Sequence, residues 1–358
     1  MSYRSAVGYD PAVARILVDL YSDTQTRPSP GMRMAMAEAE VGDEQRFEDP
    51  TTNHLQEMVA ELLGKQAAVF LPSGTMCNEI ALAVHCRPGE EVFLDRSAHV
   101  LTSEAGGPAV IAGAILHPVD GERGVYSAAQ LDAALQAQTR HAPTARLVSV
   151  ENTANMAGGT CWRLDQLEAV CVWAREHGLG THCDGARLMN AAIATGTPAR
   201  ALAEPFDSVW IDLSKGLGAP VGAVLAGSRD FIDAAWKWKQ RLGGSMRQSG
   251  VIAAAGVYAL EHNVERLAED HANARALAEG LARLPGADLD PAHVETNIVI
   301  FELDGRRNAM TFMDELLEHH GVRLSHAGGN RVRAVTHLDV GRSGIDAALE
   351  AIGDVLRS

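Results

Sequence analysis

Two residues in this sequence sit where side-chain chemistry is easiest to build. Asp184 stands in LGTHCDGAR, where a short β-type run gives way to a loop, and Lys215 stands in SVWIDLSKGLGAPVG, at the end of another such run. In parallel α/β sheets, ligand groups gather at the carboxyl ends of strands, so an acid there points at a ligand; an isolated Asp-Gly pair also serves as a helix cap or a loop ion-pair partner. Lys215 is flanked by Ser214 and Gly216, with Gly218 and Gly222 following. Little bulk covers an amine in that setting, which suits a carbonyl nucleophile, although a plain surface lysine is the ordinary reading of a lysine in a loop. An acid and a lysine at successive strand ends suit pyridoxal 5'-phosphate (PLP). The lysine captures its aldehyde as a Schiff base and the carboxylate keeps its pyridine nitrogen protonated.

Two further segments fit that chemistry. LPSGTMCNEIAL reads as a strand, a tight Ser73-Gly74-Thr75 turn and a helix start. Backbone N–H groups at a helix N-terminus favour a phosphate, and the two hydroxyls add donors, though any capped strand-to-helix turn looks similar. His99, in LDRSAHVLTSEAGG, follows another strand-like run. An imidazole there can lie flat on a cofactor ring or act as an acid/base group, while most of the 14 histidines must be structural. The patterns G-x-x-x-x-G-K-[ST] and G-x-G-x-x-G before a helix are both absent, which argues against a nucleotide triphosphatase and a dinucleotide enzyme.

The elements that must position these residues alternate. Helical spacing in TNHLQEMVAELLGK is followed by strand-like runs at 67–71, 91–94, 109–116, 146–150, 179–183, 208–213 and 221–226, several of them separated by helix-like segments. That alternation predicts an α/β domain with a largely parallel sheet. After about residue 250 the chain turns Ala/Leu/Glu-rich and helical, then offers runs at 294–303 and 330–338 and a last helix, enough for a smaller α+β domain. The expected organisation is an N-terminal segment over 1–40 that packs with the small domain and the active site, a large domain over 41–255 and a small domain over 256–358.

Composition narrows the partners. A formal net charge of −15 without a Lys/Arg cluster argues against a nucleic-acid surface. Five cysteines without a C-x-x-C pair suggest neither a disulfide scaffold nor a zinc site. No long apolar stretch precedes a small-residue cleavage site, and nowhere do 18 apolar residues run together. The expectation is a soluble cytoplasmic protein that binds no membrane and no metal and acts on a small molecule.

Taken in order, LVDLYSDTQTRPSPGM, VGDE, EDPTTNHLQ, AVFLPSGTMCNEIAL, SAHVLTSEAGG, VSVENT, HCDGARLMNA, LSKGLGAPVGAVLAG, GGSMRQSGVIAAAGVYAL and VRAVTHLDV resemble the marker segments of low-specificity L-threonine aldolases. The resemblance implies PLP fold type I: a mostly parallel seven-stranded sheet with helices on both faces and a smaller C-terminal domain. It implies that Lys215 carries the cofactor, that Asp184 meets its pyridine nitrogen, that His99 stacks on the ring and that Gly74 and Thr75 hold the phosphate. Ser22, Arg187 and Arg333 would receive the substrate carboxylate, with Arg187 also beside the cofactor. Arg247 would reach the phosphate of a neighbouring subunit in a homotetramer. Three positions depart from the family pattern: Arg46 stands for a tyrosine, Ala154 for a histidine and Gln240 for a lysine. If Ala154 and Arg46 face the substrate side chain, they favour a larger or anionic β-substituent over threonine. The implied reaction is retro-aldol cleavage of an L-β-hydroxy-α-amino acid to glycine and an aldehyde. Alanine racemisation, β-elimination or a non-catalytic protein on the same frame are the alternatives.

Overall fold

The computed structural model describes residues 15–137 and 139–357, so residues 1–14 of the expected N-terminal segment lie outside the described residues. The large sheet is built from β1 (Ala67–Leu71), β2 (Glu91–Asp95), β3 (Ile115–Val119), β4 (Ala145–Glu151), β5 (Gly180–Gly185), β6 (Ser208–Asp212) and β7 (Ala223–Gly227). It is seven-stranded with spatial order β1-β7-β6-β5-β4-β2-β3. All pairs are parallel except those made by β7, which runs antiparallel to both β1 and β6. Parallel strands need crossovers, and the helices that supply them cover both faces. Along β1 the two-residue period is plain. Ala68 and Phe70 join the core under the helices Pro50–Leu63, Leu164–Glu176 and Gly250–His262, whereas Val69 and Leu71 face Gly74–His85 and Arg229–Arg241.

Local chemistry sets the helix ends. Asp49 caps Pro50–Leu63 through Thr52 N–H at 2.9 Å, and Gly64 closes it at φ +65°, as its sequence suggests. The run at 109–116 departs from expectation. Residues Pro108–Ala112 form a π-helical turn, Gly113 follows at φ +65°, and the strand begins only at Ile115. A short apolar run does not by itself distinguish a strand from a buried turn, and the proline and glycine at its edges decided the matter.

A second core is formed by β8 (Ile298–Leu303), β9 (Arg331–Val335) and the helices Leu267–Leu281, Ala309–His320 and Arg342–Arg357. Val18 and Leu20 of the N-terminal segment belong to it, and Val18–Asp19 pairs in parallel with Val322–Arg323. The boundary expected between 255 and 256 falls inside the continuous helix Gly250–His262, whose buried alanines pack on the large core. The cores part instead along Leu267–Leu281, where Leu267 joins the first and Ala274 onward the second. Among the described residues no helix is long and apolar enough to cross a membrane.

Candidate active site

The carboxyl ends of β4, β5 and β6 lie side by side. In register Glu151 stands beside Asp184, and Asp184 beside Trp210, so one row of the sheet delivers two acids and an indole to the same cavity. That cavity, of about 500 Å³, is also lined by Ser22, Ser73, Gly74, Thr75, Asn78, His99, Arg187, Lys215 and Arg333. Sequence positions more than 300 apart meet there because the N-terminal segment crosses between the two cores, with Thr26 Oγ1 donating to the Lys215 carbonyl at 2.8 Å.

Lys215 rests its Nζ 3.0 Å from Asp212 Oδ2, beside the Trp210 ring. Its turn depends on glycine: Gly218 adopts φ +80°, and a Cβ there would stand 2.6 Å from Leu338. Asp184 is buried. Burial first, and then the Glu104 charge, raise its carboxyl; Lys215 and the Asn78 amide, whose Nδ2 donates at 2.8 Å, act against that. Asn78 also donates to Glu104 Oε1 at 2.7 Å and accepts from Trp210 Nε1 at 2.7 Å.

Ser73 caps the helix Gly74–His85 through Met76 N–H. The first intrahelical bond is Cys77 N–H to the Ser73 carbonyl, so the Gly74 and Thr75 amides precede the ladder. A Cβ on Gly74 would stand 2.3 Å from the Trp210 ring, so only glycine lets the backbone seat there. His99 Nδ1 pairs with Glu104 at 2.9 Å, and that hydrogen bond raises the imidazole above its ordinary value. Glu151 accepts from His99 N–H and Asn155 N–H, each at 2.6 Å. Its burial, followed by the Asp184 charge, nevertheless pushes it up to about 7.

The cationic end is organised by Asp23, which is fully buried and binds Arg187 with both oxygens at 2.7 and 2.6 Å. Burial alone would raise this carboxyl, but Arg187, Lys215 and Arg333 hold it well below the carboxylate range. Arg187 therefore has its fork engaged and offers Nη1 to Asn155 Oδ1 at 3.2 Å. Arg333 donates Nη2 to the same oxygen at 2.8 Å, and its buried Nε has no partner. Burial, and then Arg187, lower the Arg333 guanidinium to about 10.

Three expected site residues fall elsewhere. Ala154 is buried, with its Cβ where a Cβ on Gly124 would approach to 2.5 Å; Asn155 lines the cavity in its place. The room expected at Ala154 is filled by the turn at Gly124. Arg46 lies exposed on the short helix Glu44–Arg46, outside this chain's cavity. Arg247 is exposed and paired with Asp43 at 2.9 Å, also away from this chain's cavity. Gln240 is exposed, and its neighbour Lys239 is the buried one, bonded to Glu44 at 2.9 Å. Sequence reasoning missed Glu151 and Asp212, although both end strand-like runs just as Asp184 does. Asp23, Asn78, Glu104 and Asn155 carry no such signal. Among the described residues, no cluster of His, Cys, Asp and Glu could hold a metal ion. A larger groove, about 710 Å³, runs along residues 122–130 and 160–170, and its arginines are already tied to Glu295 and Asp165.

A family model described as beta-eliminating lyase matches residues 19–304. Low-specificity L-threonine aldolase 1 of Arabidopsis thaliana is 42% identical over 93% of this chain and 94% of its own length. The low specificity L-threonine aldolase of Escherichia coli K12 is 42% identical over 91% of this chain and 95% of its own. The solved threonine aldolase of Leishmania major superposes with a TM-score of 0.80, covering 95% of this chain and 99% of that one at 21% identity, which supports the fold. With this match along nearly its whole length, the chain belongs to the beta-eliminating lyases and, among them, to the low-specificity L-threonine aldolase family.

Proposed function

We propose that this chain is a PLP-dependent aldehyde-lyase that cleaves L-β-hydroxy-α-amino acids of the L-threonine and L-allo-threonine type to glycine and an aldehyde. The observation that carries the reading is the meeting in one cavity of Lys215, Asp184, the helix start at Gly74 and the half-satisfied Arg333. These residues fit the cofactor. Gly74 presents bare backbone at a helix N-terminus, which suits the phosphate, and Ser73 and Thr75 stand beside it. Asp184, buried and raised, gains from a cationic pyridine nitrogen opposite it. Lys215 is the amine within reach.

When bound, PLP supplies an electron sink for the pair left on Cα when the Cα–Cβ bond breaks. The protein does the rest. Arg333 offers its unpartnered Nε to the substrate carboxylate, with the Ser22 hydroxyl nearby, and so orients the bond to be broken. Arg187 acts on that geometry through Asn155. Of the cavity's acid/base groups, Glu151 has both oxygens engaged by backbone N–H groups, whereas His99 spends only Nδ1 on Glu104 and in its neutral form keeps Nε2 for a proton. His99 is therefore the first choice to receive the β-hydroxyl proton.

Homotetramer assembly, with Arg247 serving a neighbouring subunit, is supported by the exposure of Arg247 and of Val41 and Phe47 in the adjoining segment. The cytoplasm suits five free, buried cysteines. Quantifying glycine and aldehyde from L-threonine and L-allo-threonine, beside D-alanine from L-alanine and pyruvate from L-serine, tests the reaction. Retro-aldol products support it, whereas D-alanine or pyruvate as the main product would assign Cα–H cleavage instead.

A further inference from the structure

Behind His99 lies a second carboxyl that the reaction does not use. Glu79, on the helix Gly74–His85, is only 3% exposed, and both its oxygens are sealed from solvent. Its Oε1 lies flush under the backbone of Gly107, where a Cβ would stand 1.9 Å away. Neither Glu79 oxygen receives a hydrogen bond from a donor, and neither does Oε2 of Glu104, 5% exposed, although the two carboxyls are within hydrogen-bonding reach of each other. The other Glu104 oxygen is committed, receiving Asn78 Nδ2 at 2.7 Å and His99 Nδ1 at 2.9 Å. Two ionised carboxylates in contact and away from water repel strongly, and one proton held between them satisfies two of the three bare oxygens, Glu104 Oε2 and one of Glu79.

We propose that Glu79 and Glu104 share one proton, and that Glu79 is thereby a positioning residue that holds Glu104 as a single anion against His99. The inference rests on the reading of this cavity as the active site. Glu104 is the one charged group among the described residues that acts on Glu79. Around Glu104 stand His99 and, across Asn78, Asp184 with Lys215 beyond. Burial, and then the Glu104 charge, push Glu79 up to about 8. Below that pH the pair is singly charged and its grip on Nδ1 is fixed. Above it both carboxyls ionise, separate and release the imidazole from its set orientation.

The test compares wild-type holoenzyme with E79Q and E79L. The amide of E79Q donates to Glu104 at every pH as the shared proton does, so the ratio of its kcat/KM to the wild-type value should rise about tenfold from about pH 7 to about pH 9, the change expected for loss of one proton near 8. E79L fills space but donates nothing, and should be low and flat. If E79Q follows the wild-type profile, or both variants lose the same constant factor, Glu79 is packing only and the proposal is overturned. A second measurement needs no turnover and no variant: the ring ¹⁵N signals of His99 in the wild-type holoenzyme should titrate near pH 8. Signals that do not move there overturn the proposal even if E79Q fails to fold. If they move but no aldehyde is formed from any substrate, the carboxyl pair stands and the reading of the reaction falls.

Discussion

Replacing Asp23 by asparagine keeps the shape and removes the charge on which the cationic end of the site depends. Asp23 is fully buried, accepts two hydrogen bonds from Arg187 and a third from Asn297 Nδ2 at 3.1 Å. Breaking a buried ion pair by removing one partner leaves the other charge uncompensated, which costs roughly 3–5 kcal/mol. Here the remaining charge is Arg187, 5% exposed, which already lowers the nearby Arg333 guanidinium. An asparagine carries no charge and puts an NH2 where one of the two Asp23 oxygens meets the guanidinium fork, so nothing local restores the pair. Denaturant unfolding of the holoenzyme should therefore show a loss of about 3–5 kcal/mol. The pH dependence follows from the sign of the shift. A carboxyl depressed in the fold stabilises above its unfolded value and is lost only as pH falls toward its folded one, so the penalty should stay constant from about pH 5 to about pH 9. In kinetics, freed Arg187 should compete with Arg333 for Asn155 and the carboxylate, changing KM along with kcat. A D23N protein within about 1 kcal/mol of wild type, a span typical of exposed pairs, would refute the claim that this pair organises the site.

The remaining predictions are compact. Lys215→Ala should abolish turnover, and borohydride treatment of the wild type should leave a pyridoxyl group on Lys215; label on another lysine would remove the basis of the mechanism. Arg333→Lys keeps the charge and loses the planar fork, so kcat/KM should fall at least about tenfold, or roughly 1.4 kcal/mol, in a steady-state assay. With Gly124 so close to the Ala154 Cβ, Ala154→His should overpack and cost about 1–3 kcal/mol in unfolding experiments, leaving the ranking of threonine, phenylserine and hydroxyaspartate unchanged. A changed ranking in a stable A154H protein would show that position 154 faces substrate after all.

Much of the architecture was legible because period and punctuation are local. The strand AAVFL, the Ser73 cap and the Gly64 stop can be read from neighbours within a few residues, and so can the placement of Asp184 and Lys215 at strand ends. The same rule applied to RLVSVE and SVWID reaches Glu151 and Asp212. The run at 109–116 departs from a strand because apolar character alone carries no period, and the composition shift near 250 does not mark where one core gives way to the other.

What the sequence by itself determined is the set of reactive groups and the strand ends that carry them, since backbone geometry ties side-chain direction to local periodicity. Which of those groups touch was decided only in three dimensions. Asp23 meets Arg187 across 164 positions, and Arg333 meets Asn155 across 178. These contacts create the forked ion pair that engages Arg187 and the shared amide oxygen that leaves Arg333 Nε without a partner. Ala154 and Asn155 are adjacent in the chain, yet one fills the core and the other the cavity. The physical reason is common to all of these: charge–charge energies and burial depend on distance and solvent access, and the fold sets both through packing between segments remote in sequence.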